Sequence, residues 1–148
     1  MLFGKKIAIK AALAATLLLS ASASFAETSK DYTLSCSVSG FTGTAYVTAV
    51  KNGNLLTFAT KGYKISSPAS SKSRSKANLN IRAWGSTSNT TSAWANSQDN
   101  LKQDNTYRSL SLSKSIIETR LASGEVQFIF DRSGSDPRCT TKVMIPKF

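Results

Sequence analysis

The sequence predicts an all-β domain, built as a small antiparallel sandwich or barrel of six to seven strands. Apolar and polar residues alternate with a period of two through most of the chain after residue 26, whereas the 3.6-residue period of amphipathic helices is nearly absent. Short runs rich in Gly, Asn and Ser separate the alternating segments. This pattern is typical of many short strands joined by tight turns.

The alternating segments define the predicted strands. Asn52-Gly53 separates two of them, and such a pair between β-rich runs is a strong hairpin signal, because both residues tolerate the positive φ of a type I′ turn. The last two segments form a predicted hairpin across a polar turn at 132–138. The predicted strands are 32–38, 44–51, 54–65, 78–84, 107–114, 125–131 and 139–145.

One or two short helices are also expected. Ser115 and Glu118 have the spacing of a capping box, and Gly124 stands where such a helix would stop. Two helical turns are therefore predicted at 116–123. A second helical segment is predicted at 93–101, where two large apolar residues lie seven positions apart.

The two cysteines, Cys36 and Cys139, are predicted to form one disulfide. Each lies on the apolar phase of its alternating segment, so both thiols are expected to face the core. The bridge would join the first strand to the last and close a loop on the order of 100 residues. No C-x-x-C spacing or neighbouring ligand supports a redox or metal site, so the prediction is a structural bridge without metal or cofactor.

Residues 1–26 have the pattern of a cleaved secretory signal peptide. Three lysines without an acid precede the apolar run 11–19, and Ser24-Phe25-Ala26 ends the segment with small residues at its first and third positions. The apolar run is too short to remain as a membrane anchor. We therefore expect an exported protein, periplasmic or secreted, with a single domain at 27–148 and no transmembrane segment after cleavage.

The charge of the predicted mature chain indicates an anionic partner. The signal peptide holds three of the 19 lysines and arginines and none of the eight acids, which leaves 16 basic and eight acidic residues, a net charge of +8. Such a charge raises encounter rates with anions. For an exported protein the candidates are lipopolysaccharide, phospholipid, teichoic acid or an acidic protein.

The basic residues are densest between positions 61 and 82, a stretch without a single acid. It includes 66–77, which is half serine, has no large apolar residue, and is predicted to be a mobile surface loop. In the strand that follows, an arginine and a tryptophan share the polar phase, where guanidinium and indole groups can combine hydrogen bonds with stacking. The predicted binding residues are Lys61, Lys64, Lys72, Arg74, Lys76 and Arg82, with Trp84 as a stacking contact.

The composition argues against catalysis. The chain has no histidine, so Ser-His-Asp triads, Cys-His pairs and histidine-based zinc sites are excluded. No glycine-rich phosphate loop is present. Export and the lack of a reader motif disfavour a native role with nucleic acid.

The sequence is best interpreted as that of an exported, non-enzymatic binding protein whose basic surface engages an anionic envelope or host partner. Two non-enzymatic alternatives remain open, and an enzyme that uses a pair of carboxylates in a cleft is a third. One is a periplasmic immunity or inhibitor protein that antagonises an exported toxin or effector enzyme. The other is a structural subunit that assembles through an unpaired sheet edge.

Overall fold

The computed structural model describes residues 26–85, 90–118 and 120–146. The predicted signal peptide therefore lies outside the described residues, except for Ala26. The described part contains ten strands and a single turn of 3-10 helix at Ala69–Ser71. The strands are β1 (Thr28–Val38), β2 (Phe41–Asn52), β3 (Leu55–Ser66), β4 (Asn78–Gly85), β5 (Thr90–Thr91), β6 (Ala95–Asn96), β7 (Arg108–Ser109), β8 (Ser113–Ile117), β9 (Ala122–Ile129) and β10 (Arg138–Ile145).

The strands form two antiparallel sheets, which confirms the all-β prediction. In the first sheet the order is β1-β2-β3, and both β7 and β8 pair with the far side of β3. In the second the order is β10-β9-β4, and both β5 and β6 pair with β4. The described strands outnumber the six or seven predicted for two reasons. β5 and β6 have only two residues each and give no alternation signal, and the predicted strand 107–114 is divided between β7 and β8.

The core lies between the two sheets and is formed by one phase of each long strand. On β9, for example, Val126 and Phe128 are completely buried, while Glu125 and Gln127 on the opposite phase are only half-buried. Burial of this apolar phase from both sheets is the main stabilising term of such a sandwich. The largest apolar side chains with no exposure are Phe41, Phe58, Phe128, Phe130, Leu56, Ile65, Leu79, Ile81 and Ile145.

The hairpin predicted around Asn52-Gly53 is present as β2–β3, but its turn differs from the predicted one. Asn52 pairs with Leu55, so the two loop residues are Gly53 and Asn54. Only Gly53 has a positive φ, of 59°. A positive φ at the first loop residue alone fits a type II′ turn. The prediction was therefore wrong in the type of turn, and the loop lies one residue later in the sequence than predicted.

The predicted disulfide between Cys36 and Cys139 is confirmed. Cys36 lies on β1 and Cys139 on β10, with their Cα atoms 6.0 Å apart. These strands are end strands of different sheets, and both cysteines pack against the core cluster. The covalent bond therefore joins the two sheets along one side of the sandwich.

Both helix predictions were wrong. Ile116 is buried and Ile117 exposed, which is the period-two pattern of β8, and Gly124 lies within β9 rather than at a helix end. In the segment 93–101, Ala95–Asn96 forms β6 and Leu101 forms a bridge with Ala77. Pairing with neighbouring strands overrides the local helix signals in both segments.

Candidate binding site

The seven predicted binding residues lie in three separate parts of the molecule. The structure therefore does not bring them together as one basic patch. Two are on β3 in the first sheet, three are in the loop between β3 and β4, and two are on β4 in the second sheet: Lys61 and Lys64, then Lys72, Arg74 and Lys76, then Arg82 and Trp84.

Three of these cations each contact a carboxylate that is distant in sequence. The stretch 61–82 thus contains no acid in its sequence, but acids from other parts of the chain lie next to it in the folded protein. The hydrogen bond from Lys61 lowers the pKa of Asp31 below its ordinary value of 3.8. The pairs are Lys61 with Asp31 at 2.6 Å, Arg74 with Asp131 at 3.1 Å, and Arg82 with Glu125.

The serine-rich loop 66–77 is attached to the end of the second sheet. Asp131, which is only 8% exposed, accepts a hydrogen bond from the Lys76 amide at 3.0 Å and another from the Arg74 side chain. Lys72 and Lys76 are exposed. The loop thus presents two lysines to solvent, and the mobility predicted for it stays a prediction.

Arg82 is held in place from two sides on the outer face of the second sheet. Its guanidinium lies 4.4 Å from the centre of the Trp94 ring and also bonds to Glu125, which is its cross-strand partner on β9. A cation fixed between an aromatic face and a carboxylate has little rotational freedom left. This side chain is therefore a preorganised part of the surface.

A cleft of about 190 Å³ lies beside this pair, on the same face of the sheet. Ser123 is 5% exposed and forms part of its wall, Trp84 is half-buried, and Lys142 is exposed. Residues from β4, β5, β9 and β10 line it: Arg82, Trp84, Thr91, Ser123, Glu125 and Lys142.

The strand register explains why these residues meet. Side chains directly opposite each other on neighbouring strands share a face of the sheet. Two adjacent rows cross β10, β9 and β4 on the outer face. The first row is Lys142, Glu125 and Arg82, and the second is Met144, Ser123 and Trp84, which Thr91 on β5 extends.

The side chains that line the cleft can attract an anion and form hydrogen bonds with polar groups next to its charge. Its lining carries two cations and one carboxylate, together with two hydroxyl groups and an indole. Glu125 is the single acid of this lining, whereas hydrolysis of a glycosidic bond uses a pair of carboxylates. Within the described ranges, no three residues of the His, Cys, Asp and Glu types lie together as metal ligands would.

Arg82 and Trp84 are predicted from the sequence, whereas the other four residues of the cleft are not. The alternation that places Cys139 and Val143 towards the core also places Lys142 outward, so the orientation of Lys142 was predictable from the sequence. The proximity of Lys142 to Arg82 was not predictable, because this proximity depends on the position of β9 between β4 and β10.

No helix in the described residues is long and apolar enough to cross a bilayer. The disulfide is compatible with an exported protein. No family model, curated protein or solved structure matches this chain.

Proposed function

We propose that this protein is an exported, non-enzymatic binding protein that engages an anionic partner through the cleft on the outer face of its second sheet. The observation that carries the proposal is the convergence of Arg82, Lys142 and Trp84 on one cleft from two strands that are not neighbours. Partners with phosphate or carboxylate groups fit this lining.

The charges favour an anion over a neutral ligand. Glu125 is already paired with Arg82, so Lys142 is the cation of the cleft without a carboxylate partner among the described contacts. On the same face of β10, Arg138 is also exposed. Two outward cations on an exposed strand give this face a positive potential at short range.

The arrangement is also rigid, which lowers the entropy cost of binding. The Arg82 side chain is fixed by Trp94 and Glu125, and Ser123 is held within a central strand. Groups that need no reordering lose less conformational entropy when a ligand binds.

The experiment compares two anionic probes, phosphatidylglycerol vesicles and polygalacturonate, with the purified protein and two matched variants. Lys142→Gln removes the cleft cation and Lys72→Gln removes an exposed cation of the serine-rich loop. We expect binding to at least one probe, a loss of about fivefold to tenfold for Lys142→Gln, which corresponds to about 1 kcal/mol, and little change for Lys72→Gln.

Two results would overturn the proposal. One is the absence of binding to both probes at low salt. The other is an equal loss in the two variants, since that would show a diffuse attraction by net charge with no contribution specific to the cleft.

A further inference from the structure

Four exposed apolar side chains lie near one end of the sandwich, two beside each sheet. Among the described residues five large hydrophobic side chains are exposed, and the fifth, Tyr107, packs edge-on against Tyr46 of the first sheet. The four are Leu55 at 41%, Ile117 at 63%, Leu121 at 44% and Met144 at 64% exposure.

The strand register places the first two of them side by side. Leu55 and Ile117 are direct cross-strand partners on the outer face of the first sheet, beside the β2–β3 turn. The Glu118 amide donates to the Asn54 carbonyl at 2.9 Å, which ties the end of β8 to that turn. This pair therefore lies on a part of the sheet that a backbone hydrogen bond holds in place.

The other two lie at the same end, beside the second sheet. The Lys51 ammonium donates to the Arg120 carbonyl at 3.4 Å, so the segment before β9 lies against the end of β2. Leu121 follows directly, and Met144 pairs with Ser123, two residues further on. The exposed aliphatic side chains thus border this end on both sheets.

We infer that this end docks into the surface of a lipid bilayer with anionic headgroups, with a headgroup phosphate in the cleft. The inference rests on the proposed function and names its partner. Met144 and Ser123 form the row next to Lys142 and Glu125, so Met144 lies beside the cleft, whereas Leu55 and Ile117 lie at the same end on the outer face of the other sheet.

The exposed apolar side chains suit the hydrocarbon layer of a membrane, and the cleft suits its layer of headgroups. Binding to a membrane surface increases with the apolar area buried in it and with attraction to anionic lipid, and tryptophan favours the headgroup level. The cleft is smaller than the roughly 300–1,000 Å³ of an enclosed site for a whole small molecule, which suits a compact headgroup. A lysine contributes attraction to anionic lipid within a Debye length of the surface.

The test measures sedimentation with vesicles made of equal parts phosphatidylcholine and phosphatidylglycerol. Ile117→Ser and Met144→Ser should each reduce binding about tenfold, as expected when roughly half of such a side chain leaves hydrocarbon. Tyr107→Ser is the matched control, because it also removes an exposed large side chain, but away from this end. Thermal unfolding of each variant checks that it is folded.

Salt separates insertion from surface attraction. At about 1 M NaCl the Debye length is about 3 Å, so charge attraction is largely screened while apolar insertion persists. We expect measurable binding of the wild type at this salt and none for the double variant Ile117→Ser/Met144→Ser. In a Trp94→Phe background, Trp84 is the remaining indole, and its emission should shift to shorter wavelength on vesicles.

The outcomes distinguish this inference from the proposed function. Vesicle binding that depends on Lys142 but ignores both serine substitutions, or binding to polygalacturonate alone, overturns the membrane inference and leaves the proposed function standing. Equal binding to pure phosphatidylcholine vesicles contradicts recognition of an anion. No binding to either anionic probe overturns both.

Discussion

Gln103 pairs with the backbone of Asp131 as a neighbouring strand would. Its Oε1 accepts from the Asp131 amide at 2.8 Å, and its Nε2 donates to the Asp131 carbonyl at 2.9 Å. Nε2 also donates to the Ser71 carbonyl at 3.1 Å, and the side chain has no exposure. One amide therefore satisfies three backbone groups and joins the serine-rich loop to the end of β9.

Replacing Gln103 with Leu should lower the free energy of unfolding by about 3 kcal/mol, because it leaves these backbone groups without their partners in a buried place. Urea denaturation measures the change. Gln98→Leu, at an exposed position in the same segment, is the control and should stay within about 0.5 kcal/mol. A Gln103→Leu loss below about 1 kcal/mol would contradict this role.

Gly124 is required by the ring of Phe58. A Cβ at Gly124 would lie 2.4 Å from two carbons of that ring, and one at Gly43 would lie equally close to the ring of Phe128. Gly124→Ala should therefore cost about 1–3 kcal/mol through overpacking. In a double-mutant cycle, Phe58→Leu should relieve Gly124→Ala by at least about 0.5 kcal/mol.

The matched control for this cycle is Gly43→Ala, whose clash involves a different ring. Phe58→Leu should leave the cost of that substitution unchanged. Equal relief of both substitutions would show general loosening of the core and would refute the specific contact.

Removal of the disulfide by Cys36→Ala/Cys139→Ala should lower stability by about 4 kcal/mol. The bond closes a loop with a sequence separation of 103 residues, and chain entropy values a loop of that length at about 4.7 kcal/mol before strain is subtracted. Urea unfolding of the double variant and of the reduced wild type should agree. Stability within about 1 kcal/mol of the oxidised protein would disprove this account.

The basic residues of the serine-rich loop should differ in their effect on stability. Arg74 bonds to the nearly buried Asp131, so Arg74→Ser should cost about 1 kcal/mol, reduced from a fully buried pair because the guanidinium is partly exposed. Lys72→Ser/Lys76→Ser should leave the melting temperature nearly unchanged. Because of this difference, the loop's binding role is best tested with the two lysines alone.

Low pH should weaken two surface ion pairs, Lys61 with Asp31 and Arg108 with Asp104. Hydrogen bonds from Lys61 and Arg108 lower the pKa values of Asp31 and Asp104 below 3.8. A carboxyl group with a lowered folded-state pKa stabilises the fold above its unfolded pKa, and this contribution is lost as the pH falls through the lowered value. Stability should therefore decrease below about pH 4.

Carboxyl chemical shifts in an NMR titration test this assignment directly. Lys61→Gln should raise the titration midpoint of Asp31 and leave that of Asp104 unchanged, so Asp104 serves as the control. A midpoint of Asp31 that does not move would show that Lys61 is not the cause.

Part of the candidate site was predictable because strand alternation is a local property. Arg82 and Trp84 share the outward phase of β4, as expected, and Leu79 and Ile81 are completely buried on the other phase. The three acids that pair with predicted binding cations were not predictable, since each comes from a distant strand or loop. Local signals also misled at Gly124, where a helix stop was inferred from a glycine that makes room for a ring.

The fold class and the Cys36–Cys139 bond could be predicted from the sequence alone, because an alternation with a period of two is a local feature and one pair of cysteines allows only one pairing. The folded structure was needed to show the strand order that places Lys142 near Arg82, and the crossing that brings Leu121 to the end where Leu55 and Ile117 are exposed. Sites of this kind depend on contacts between residues far apart in the chain, which form only when complete sheets pack together.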